Sequence, residues 1–404
     1  MAEDYYVTEN DSTEDWNDDM IEEMTRQAES PDFSSLVVWS RDWTVQTIHS
    51  QIEQGNIDLN PKFQRRNAWN DDKKTRLIES LIIGLPVPEI VLAEHPQKKR
   101  AFIIIDGKQR LLTIAGFINP EKFDYWDNPK LGKQLSVRTD LQGVTFDQMQ
   151  TDSTYEEEER AFLNADVRCT VVSNYQSSDV LYNIFYRLNT GSVPLSSQEL
   201  RQVLNKGPFA DYLMEITTDL QPIHKVLKLN ESDPRMRDVE IILRFICFVL
   251  FSQNYKGNLR KFLDDTMGDV TKKWEEYNEL VKQVYSDFNK AIERLQQVFG
   301  KSEIIGRKYT DGKGWERLNK ALFEVEVYYF MQLDDEAING KRKFFVEEFK
   351  KFCGRNERFR ESIRTSTSDL EKYAIRYKLF CDFINSTLGT DLSMLPLNYD
   401  RSDK

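Results

Sequence analysis

The spacing of hydrophobic residues along the chain differs between two parts, and it predicts a mixed α/β structure for the first part and a helical structure for the second. Between about residues 42 and 175, short apolar runs typical of buried strands alternate with segments in which apolar residues recur every three or four positions. From about residue 178 to 390, the helical spacing continues alone. The elements predicted for the first part are helices near 43–52 and 71–83 and strands near 89–93, 101–105 and 167–172.

Capping signals support the ends of several of these helices. Asn70 or Asp71 is suited to cap the helix near 71–83, which stops at Gly84 and the prolines behind it. Ser196 and Glu199 have the spacing of a capping box, which predicts another helix start. Residues 121–165 show no clear period, so we expect an irregular insertion there.

These patterns predict an α+β protein, with a mixed α/β core followed by a mainly helical C-terminal region. We expect an α/β domain at residues 40–177 and a helical domain at residues 178–404. Residues 1–39 are expected to form an acidic, partly disordered arm, because residues 1–32 hold twelve acids and one base. This arm is either a solvated tail or a segment that occupies a basic groove in place of phosphate.

Length and composition limit the class of protein. With 404 residues, of which 40% are hydrophobic, the chain can bury a large core. The longest apolar run, Ile241–Phe251, is interrupted by Arg244 and is shorter than the roughly 20 residues that a bilayer span needs. No secretory signal is recognisable at the acidic N-terminus. We therefore expect a cytoplasmic protein without a membrane partner.

Cysteines and histidines give no pattern of a metal site or a disulfide framework, because they are few and widely separated. They are Cys169, Cys247, Cys353, Cys381, His49, His95 and His224. We expect reduced thiols in the core, and carboxylate, amide and basic side chains must carry any chemistry.

The most informative segment is the end of the strand near 101–105. There an apolar run stops at Asp106 and Gly107, and a helical pattern starts at Lys108. A glycine turn followed by a helix start directs backbone N–H groups and the side chains of Lys108 and Arg110 towards one place, which suits an anion such as phosphate. Because the chain contains no GxxxxGK[ST] loop, a P-loop NTPase is not expected.

The same residues allow a purely structural interpretation. Asp106 and Gln109 have the spacing of a capping box, and Arg110 can serve in a surface ion pair. In the functional interpretation, Arg110 makes a bidentate phosphate contact. Asp106 would then repel the phosphate unless it binds a bridging Mg²⁺ ion.

Further candidates lie outside this segment. Gln64 and Arg65 follow an extended stretch and precede a helix, where loop side chains can reach a cleft. Arg201 and Arg244 lie on otherwise apolar helices, so each needs a partner, either an acid such as Glu240 or a ligand phosphate.

Four stretches of the chain together resemble the GmrSD-type N-terminal domain family, also called domain of unknown function 262. They are Phe63-Gln-Arg-Arg-Asn-Ala-Trp69, Gly84-Leu-Pro-Val-Pro88, Ile105-Asp-Gly-Lys-Gln-Arg-Leu-Leu-Thr113 and Phe185-Tyr-Arg-Leu-Asn-Thr-Gly-Ser-Val-Pro-Leu-Ser-Ser-Gln-Glu-Leu-Arg201. The resemblance implies a ParB/sulfiredoxin-like core, a DGQQR-type motif associated with nucleotide binding or hydrolysis, and a role in bacterial defence against foreign DNA.

The resemblance adds one site residue and includes two departures. Only the family pattern makes Asn189 a candidate, since its local sequence otherwise reads as a helix end. Lys108 stands where the family usually has glutamine, which adds a positive charge. Many relatives also carry a C-terminal HNH nuclease domain, of which the histidines here give no sign.

The leading hypothesis is a nucleotide-binding, NTP-hydrolysing regulatory or sensor protein of a bacterial anti-phage or modification-dependent restriction system. Arg65, Lys108 and Arg110 would hold the phosphates, Asp106 would bridge Mg²⁺, and Gln109 would orient the attacking water. Gln64, Gly107, Asn189 and Arg201 complete the expected nucleotide site. The alternatives are a metal-dependent ParB-like DNA nuclease and a non-catalytic nucleotide-binding or DNA-binding module. Expected partners are a nucleoside triphosphate, DNA and a separate effector or nuclease protein. The sequence leaves open whether the chain forms an oligomer.

Overall fold

A computed structural model describes residues 32–59, 69–188, 196–364 and 366–399, without the side chain of Tyr186. By its internal contacts, the described chain divides into two compact units, the first ending at Leu204 and the second starting at Asn205. The first unit therefore extends past the limit at 177 that we expect for the α/β domain, and it includes two helices after the last strand. The predicted domain limits as a whole stay a prediction.

The first unit combines a mixed sheet with short helices. Its strands are β1 (Val37–Thr44), β2 (Ile90–Glu94), β3 (Phe102–Asp106) and β4 (Asp166–Ser173). Its helices are α1 (Val45–Glu53), α2 (Asp71–Ile82), α3 (Lys108–Ile118), α4 (Phe146–Thr151), α5 (Glu156–Leu163), α6 (Ser178–Leu188) and α7 (Ser197–Leu204).

The sheet places β3 at one edge, in the order β1-β4-β2-β3. Strand β4 pairs antiparallel with β1 and parallel with β2, and β2 pairs antiparallel with β3. Strands β2 and β3 are almost entirely buried, which their runs of isoleucine, valine and leucine require. Helices α1 and α2 both pack against α3, while α6 and α7 pack against β3. The end of β3 is thus contacted by helices from a distant part of the sequence.

The predicted elements of this unit are largely confirmed. Asn70 caps α2 by accepting a hydrogen bond from the Lys73 N–H, as its position before the helix indicates. Two predictions are wrong. Helices α4 and α5 lie in the stretch expected to be irregular, because their apolar faces are only one or two residues wide. Strand β1 begins at Val37, inside the expected arm, and most of its residues are exposed on both faces, which removes the alternation that identifies a strand.

The second unit is mainly helical. Its helices are α8 (Pro208–Glu215), α9 (Pro222–Val226), α10 (Arg237–Phe251), α11 (Leu259–Lys272), α12 (Trp274–Phe299), α13 (Lys320–Gln332), α14 (Asp335–Ile338), α15 (Arg342–Arg355), α16 (Glu357–Ser362) and α17 (Leu370–Leu388). Strands β5 (Arg307–Thr310) and β6 (Gly314–Leu318) form a hairpin that the helical pattern does not predict.

The long apolar run is a buried helix, α10, as expected. Its arginine, Arg244, lies 3.7 Å from Glu240 (Nη1 to Oε1) and 2.5 Å from Glu324 on α13 (Nε to Oε1). The Tyr373 hydroxyl donates a 2.9 Å hydrogen bond to the other oxygen of Glu324. The expected acid partner, Glu240, is therefore confirmed, and a buried charge is compensated in the second unit.

The α+β fold class is confirmed, with the mixed sheet in the first unit and helices dominating the second. Within the described residues, no helix combines the length and the apolar character that a membrane span requires. The site described below belongs to the first unit alone.

Candidate functional site

The turn between β3 and α3 is built around Gly107. This residue has φ of +93°, which an L-residue with a side chain rarely adopts. A Cβ atom at this position would lie 3.0 Å from Ile90 Cγ1 and 3.2 Å from Arg110 Nη2. Gly107 is also the N-cap of α3, and no side chain caps the helix among the described residues. The first backbone N–H groups of α3 have no intrahelical acceptor, as at every helix start, and Gly107 offers them no side-chain acceptor either.

Asp106 and Arg110 form an ion pair across this turn. Arg110 Nη2 donates a 2.7 Å hydrogen bond to Asp106 Oδ2 and a 2.9 Å hydrogen bond to the carbonyl oxygen of Glu89. The Arg110 side chain is 10% exposed and that of Asp106 is 27% exposed. The structural alternative of an Asp106–Gln109 capping box is wrong, because the N-cap is one residue later and the Asp106 carboxylate contacts Arg110 instead.

Lys108 is held by an acid that is distant in sequence. Its Nζ atom lies 3.3 Å from Glu199 Oε1, and both side chains are nearly buried, at 12% and 6% exposure. Glu199 Oε2 accepts a 2.6 Å hydrogen bond from the Ser196 N–H, and the Glu199 N–H donates to Ser196 Oγ at 3.1 Å. The predicted capping box is therefore confirmed, and it also fixes the carboxylate that reaches Lys108.

Helix α7 buries an unusual number of polar side chains. Gln198 and Gln202 are fully buried, and Arg201 is 3% exposed. Arg201 Nη1 donates a 2.6 Å hydrogen bond to Gln198 Oε1. Among the described residues, Gln198 Nε2 and both amide atoms of Gln202 have no hydrogen-bond partner. Each buried polar atom left without a partner costs about 1–3 kcal/mol, so folded proteins keep few of them.

A further buried acceptor lies at the start of α3. Gln109 Oε1 has no hydrogen-bond partner within the described part of the chain, and neither does Arg110 Nε. Gln109 follows Lys108, which forms the ion pair with Glu199, directly in sequence. In the described structure, unpartnered polar atoms thus occur on both of the helices that this ion pair links.

Metal and thiol chemistry find little support in the described geometry. No group of three or more His, Cys, Asp or Glu side chains is arranged to hold a metal ion in the ranges that the structure describes. Asp106 uses Oδ2 in its ion pair, which leaves Oδ1 as the oxygen for a metal. All four cysteines are buried and free, as expected. Burial raises the pKa of the Cys169 thiol on β4 to about 12, so it is no ready nucleophile.

The structure brings together five of the predicted site residues, Asp106, Gly107, Lys108, Gln109 and Arg110, in one turn. Arg201 lies on the helix that supplies the partner of Lys108. Gln64, Arg65 and Asn189 lie outside the described residues. The assigned roles of all these residues stay predictions.

Sequence reasoning missed Gln198 and Gln202 and the contact of Glu199 with Lys108. The signal for the two glutamines is their spacing of four residues, which places both on one helix face. No sequence signal identifies the contact of Glu199, because 91 residues separate it from Lys108.

Comparison with known proteins identifies the first unit. Residues 45–204 match the family model described as GmrSD restriction endonuclease, N-terminal domain. No curated protein and no solved structure matches the chain. The matched range begins at α1, directly after β1, and includes strands β2, β3 and β4, the turn at Gly107 and the whole of α7. Residues 45–204 are therefore similar to the N-terminal domain of GmrSD restriction endonucleases, and this similarity indicates a restriction-system protein.

Proposed function

We propose that the first unit binds a nucleoside triphosphate at the turn between β3 and α3 and hydrolyses it, and that this reaction regulates a bacterial anti-phage or modification-dependent restriction system. The observation that carries the proposal is the buried, unpartnered Gln109 Oε1 beside Lys108 at a helix start without a side-chain cap. Such a place offers N–H donors and a cation to a phosphate and an acceptor to a water molecule.

Each residue of the turn has a distinct part in this proposal. Lys108 and the first N–H groups of α3 bind the phosphates, since both present positive charge at the same end of the helix. Gln109 Oε1 accepts a hydrogen bond from the attacking water and orients it. Arg110 acts as a positioning residue through its hydrogen bonds to Asp106 and to the Glu89 carbonyl. Arg201 Nη1 donates a hydrogen bond to Gln198, and we assign Arg201 the role of orienting this amide rather than of binding a phosphate.

The ion pair with Arg110 changes the electrostatic effect that Asp106 would have on a bound phosphate. A free carboxylate would repel a phosphate, but the Arg110 guanidinium already offsets the charge of Asp106. The described residues also form no metal site of their own. Asp106 Oδ1 is the atom that would contact a Mg²⁺ ion carried in by the nucleotide phosphates.

A phosphate-release assay on the full chain tests this function. The four nucleoside triphosphates are supplied with and without duplex DNA, and Arg110→Ala is measured beside the wild type. We expect release by the wild type with at least one nucleotide and a loss of at least about tenfold in the variant. If the folded wild type releases no phosphate under any condition, the protein is not an NTP hydrolase.

The same samples separate the two rival functions. A ParB-like nuclease nicks plasmid DNA with Mg²⁺ or Mn²⁺ and consumes no nucleotide. A non-catalytic module binds nucleotide or DNA without turnover, and Asp106→Asn leaves that binding nearly intact. No contact in the described structure favours either rival over the hydrolase.

Exposed arginines in the second unit support DNA as a partner. Four arginines at the end of α15, on α16 and just after it are exposed and make no ion pair with the described residues: Arg355, Arg358, Arg360 and Arg364. Residues 341–378 contain twelve bases and six acids, although the whole chain has a net charge of −12. Arginines that no acid neutralises are available to DNA phosphates, and we propose duplex DNA as the partner of this surface.

A further inference from the structure

We infer that Gln202, with the side-chain amide of Gln198, contacts the base of the bound nucleotide, so that α7 supplies base recognition to a site whose phosphate contacts come from α3. This inference rests on the proposed nucleotide-binding function. It adds Gln198 and Gln202 of α7, neither of which belongs to the nucleotide site expected from the sequence.

Among the described residues, the unpartnered side-chain atoms of α7 include both hydrogen-bond donors and an acceptor. In the described structure, Gln202 lacks a partner for both its acceptor and its donor, and Gln198 lacks one for its donor. The result does not depend on which way the Gln202 amide is turned, since both ends are unpartnered. A phosphate at neutral pH offers acceptors and so satisfies only the N–H groups. A ligand that satisfies Gln202 completely must offer a donor and an acceptor side by side, as the edge of a nucleobase does.

Gln202 shares a side of α7 with the residue that contacts Lys108. Gln202 lies three residues after Glu199 and four after Gln198, so the three side chains share one side of α7. Glu199 reaches Lys108, the first residue of α3, at 3.3 Å. Helix α7 also packs against β3, the strand that ends at Asp106. The two glutamines therefore lie on the helix that contacts the first residue of α3, within the same compact unit.

The protein holds the side chain of Gln198 in place. Arg201 donates to Gln198 Oε1 at 2.6 Å, which fixes the amide so that its Nε2 atom points away from this contact. A fully buried side chain that is oriented by a charged neighbour but keeps an unused donor has the organisation of a binding residue. Gln198 is also a poor target for substitution, because its loss would leave Arg201 without this acceptor.

The test measures equilibrium binding of inorganic tripolyphosphate and of each of the four nucleoside triphosphates to the full chain. Tripolyphosphate reports the phosphate contacts alone, and the four nucleotides differ only in the base. The variants are Gln202→Leu and the nearly isosteric Gln202→Met, with Gln97→Leu, an exposed glutamine of the same unit, as the control. Thermal melting is recorded for each protein.

We expect the wild type to bind its preferred nucleotide at least about tenfold more tightly than tripolyphosphate. Both Gln202 variants should lose that advantage and the preference among the four bases, keep the affinity for tripolyphosphate within about twofold, and melt no lower than the wild type. A rise in melting temperature together with lost base preference is a result that a merely structural glutamine would not give.

Three results would overturn the inference. In the first, the Gln202 variants keep the wild-type preference among the bases. In the second, all four nucleotides lose affinity by the same factor, which places the contact on the ribose. In the third, tripolyphosphate binding falls as much as nucleotide binding. If instead the folded wild type binds neither tripolyphosphate nor any nucleotide, the proposed function itself fails.

Discussion

Arg110 contacts Asp106 across the single turn that joins β3 to α3, with 2.7 Å between Nη2 and Oδ2. The same nitrogen donates to the carbonyl oxygen of Glu89 just before β2, so the guanidinium ties the helix start to two neighbouring strands. Because the carboxylate is neutralised inside the protein, it can lie beside a phosphate site without repelling the ligand. The pair thus connects the start of α3 to both strands and offsets the charge of Asp106.

Gly107→Ala should disturb this turn in two ways. The left-handed backbone costs about 1–2 kcal/mol with a side chain, and the new Cβ would also press on Ile90 and Arg110. Gly84→Ala is the control, because Gly84 has φ of +73° but no atom within 4 Å of its Cβ position. We expect the urea midpoint to fall further for Gly107→Ala than for Gly84→Ala, and nucleotide binding to fall only in the former. Equal shifts in both variants would show that Arg110 is not held against this glycine.

Glu199→Gln should strengthen the binding of polyphosphate. The substitution keeps the capping box, since glutamine serves at the same position, but it removes a negative charge 3.3 Å from Lys108. We expect tripolyphosphate to bind roughly threefold to tenfold more tightly at low salt, and the gain to shrink as salt is added. Glu157→Gln, at an exposed acid of the same unit, should change little. Weaker binding by Glu199→Gln would mean that the carboxylate itself contacts the ligand.

Glu79 should make the stability of the first unit depend on pH. Burial raises the pKa of this carboxyl, but hydrogen bonds from the N–H groups of Arg138, Val137 and Ser136 outweigh burial and hold it below its ordinary value of 4.5. Its contribution is therefore present above pH 4.5 and is lost as the pH falls through the pKa of the folded protein.

Urea unfolding at several pH values checks this expectation. At pH 7, Glu79→Gln should be less stable by about 1–3 kcal/mol, because an amide N–H₂ group faces backbone donors. The difference from the wild type should shrink below pH 4.5, where Glu79 in the wild type becomes protonated. Glu121→Gln, at an exposed site, should show neither effect. A difference that is constant from pH 7 to pH 3 would contradict the assignment.

Replacing exposed arginines of the second unit should weaken DNA binding. Arg355→Glu with Arg358→Glu should reduce affinity for a duplex by at least about tenfold at low salt and lower the slope of log K against log salt by about 2. Lys225→Glu with Lys313→Glu changes the net charge equally at exposed sites elsewhere in the unit. If this control pair weakens binding to the same extent, only net charge matters and the arginine surface has no special role.

The sequence reveals the local part of this site and little of the rest. The turn at Asp106–Gly107, the capping box of Ser196 and Glu199 and the pairing of Arg244 with Glu240 are all separated by four residues or fewer, where spacing and side-chain type decide the contact. The same locality misled the interpretation of Asp106, since its spacing to Gln109 suits a capping box equally well. A glycine N-cap with positive φ moved the helix start by one residue and left the carboxylate to Arg110.

Long-range contacts could not be predicted because they depend on packing. Lys108 contacts Glu199 only because α7 packs against β3, and the sequence of neither segment indicates this contact. The burial of Gln202 has the same cause, since its polar side chain suggests an exposed position by residue type. Strand β1 was missed for a related reason, because exposure on both faces leaves no hydrophobic alternation to read.

The most direct test is equilibrium binding of nucleoside triphosphates to the full chain with and without the Lys108 side chain. Because the loss of Lys108 alone would leave the buried Glu199 carboxylate without this partner, Glu199 is replaced by glutamine in the same protein. Glu199→Gln is compared with the double variant Lys108→Met/Glu199→Gln, and Lys99→Met, at an exposed lysine, is the control. We predict saturable binding of one nucleotide per chain by the wild type, Glu199→Gln and Lys99→Met, and a loss of at least about tenfold in the double variant. Equal affinity in the double variant, or no binding of any nucleotide by the folded wild type at millimolar concentration, would contradict the account.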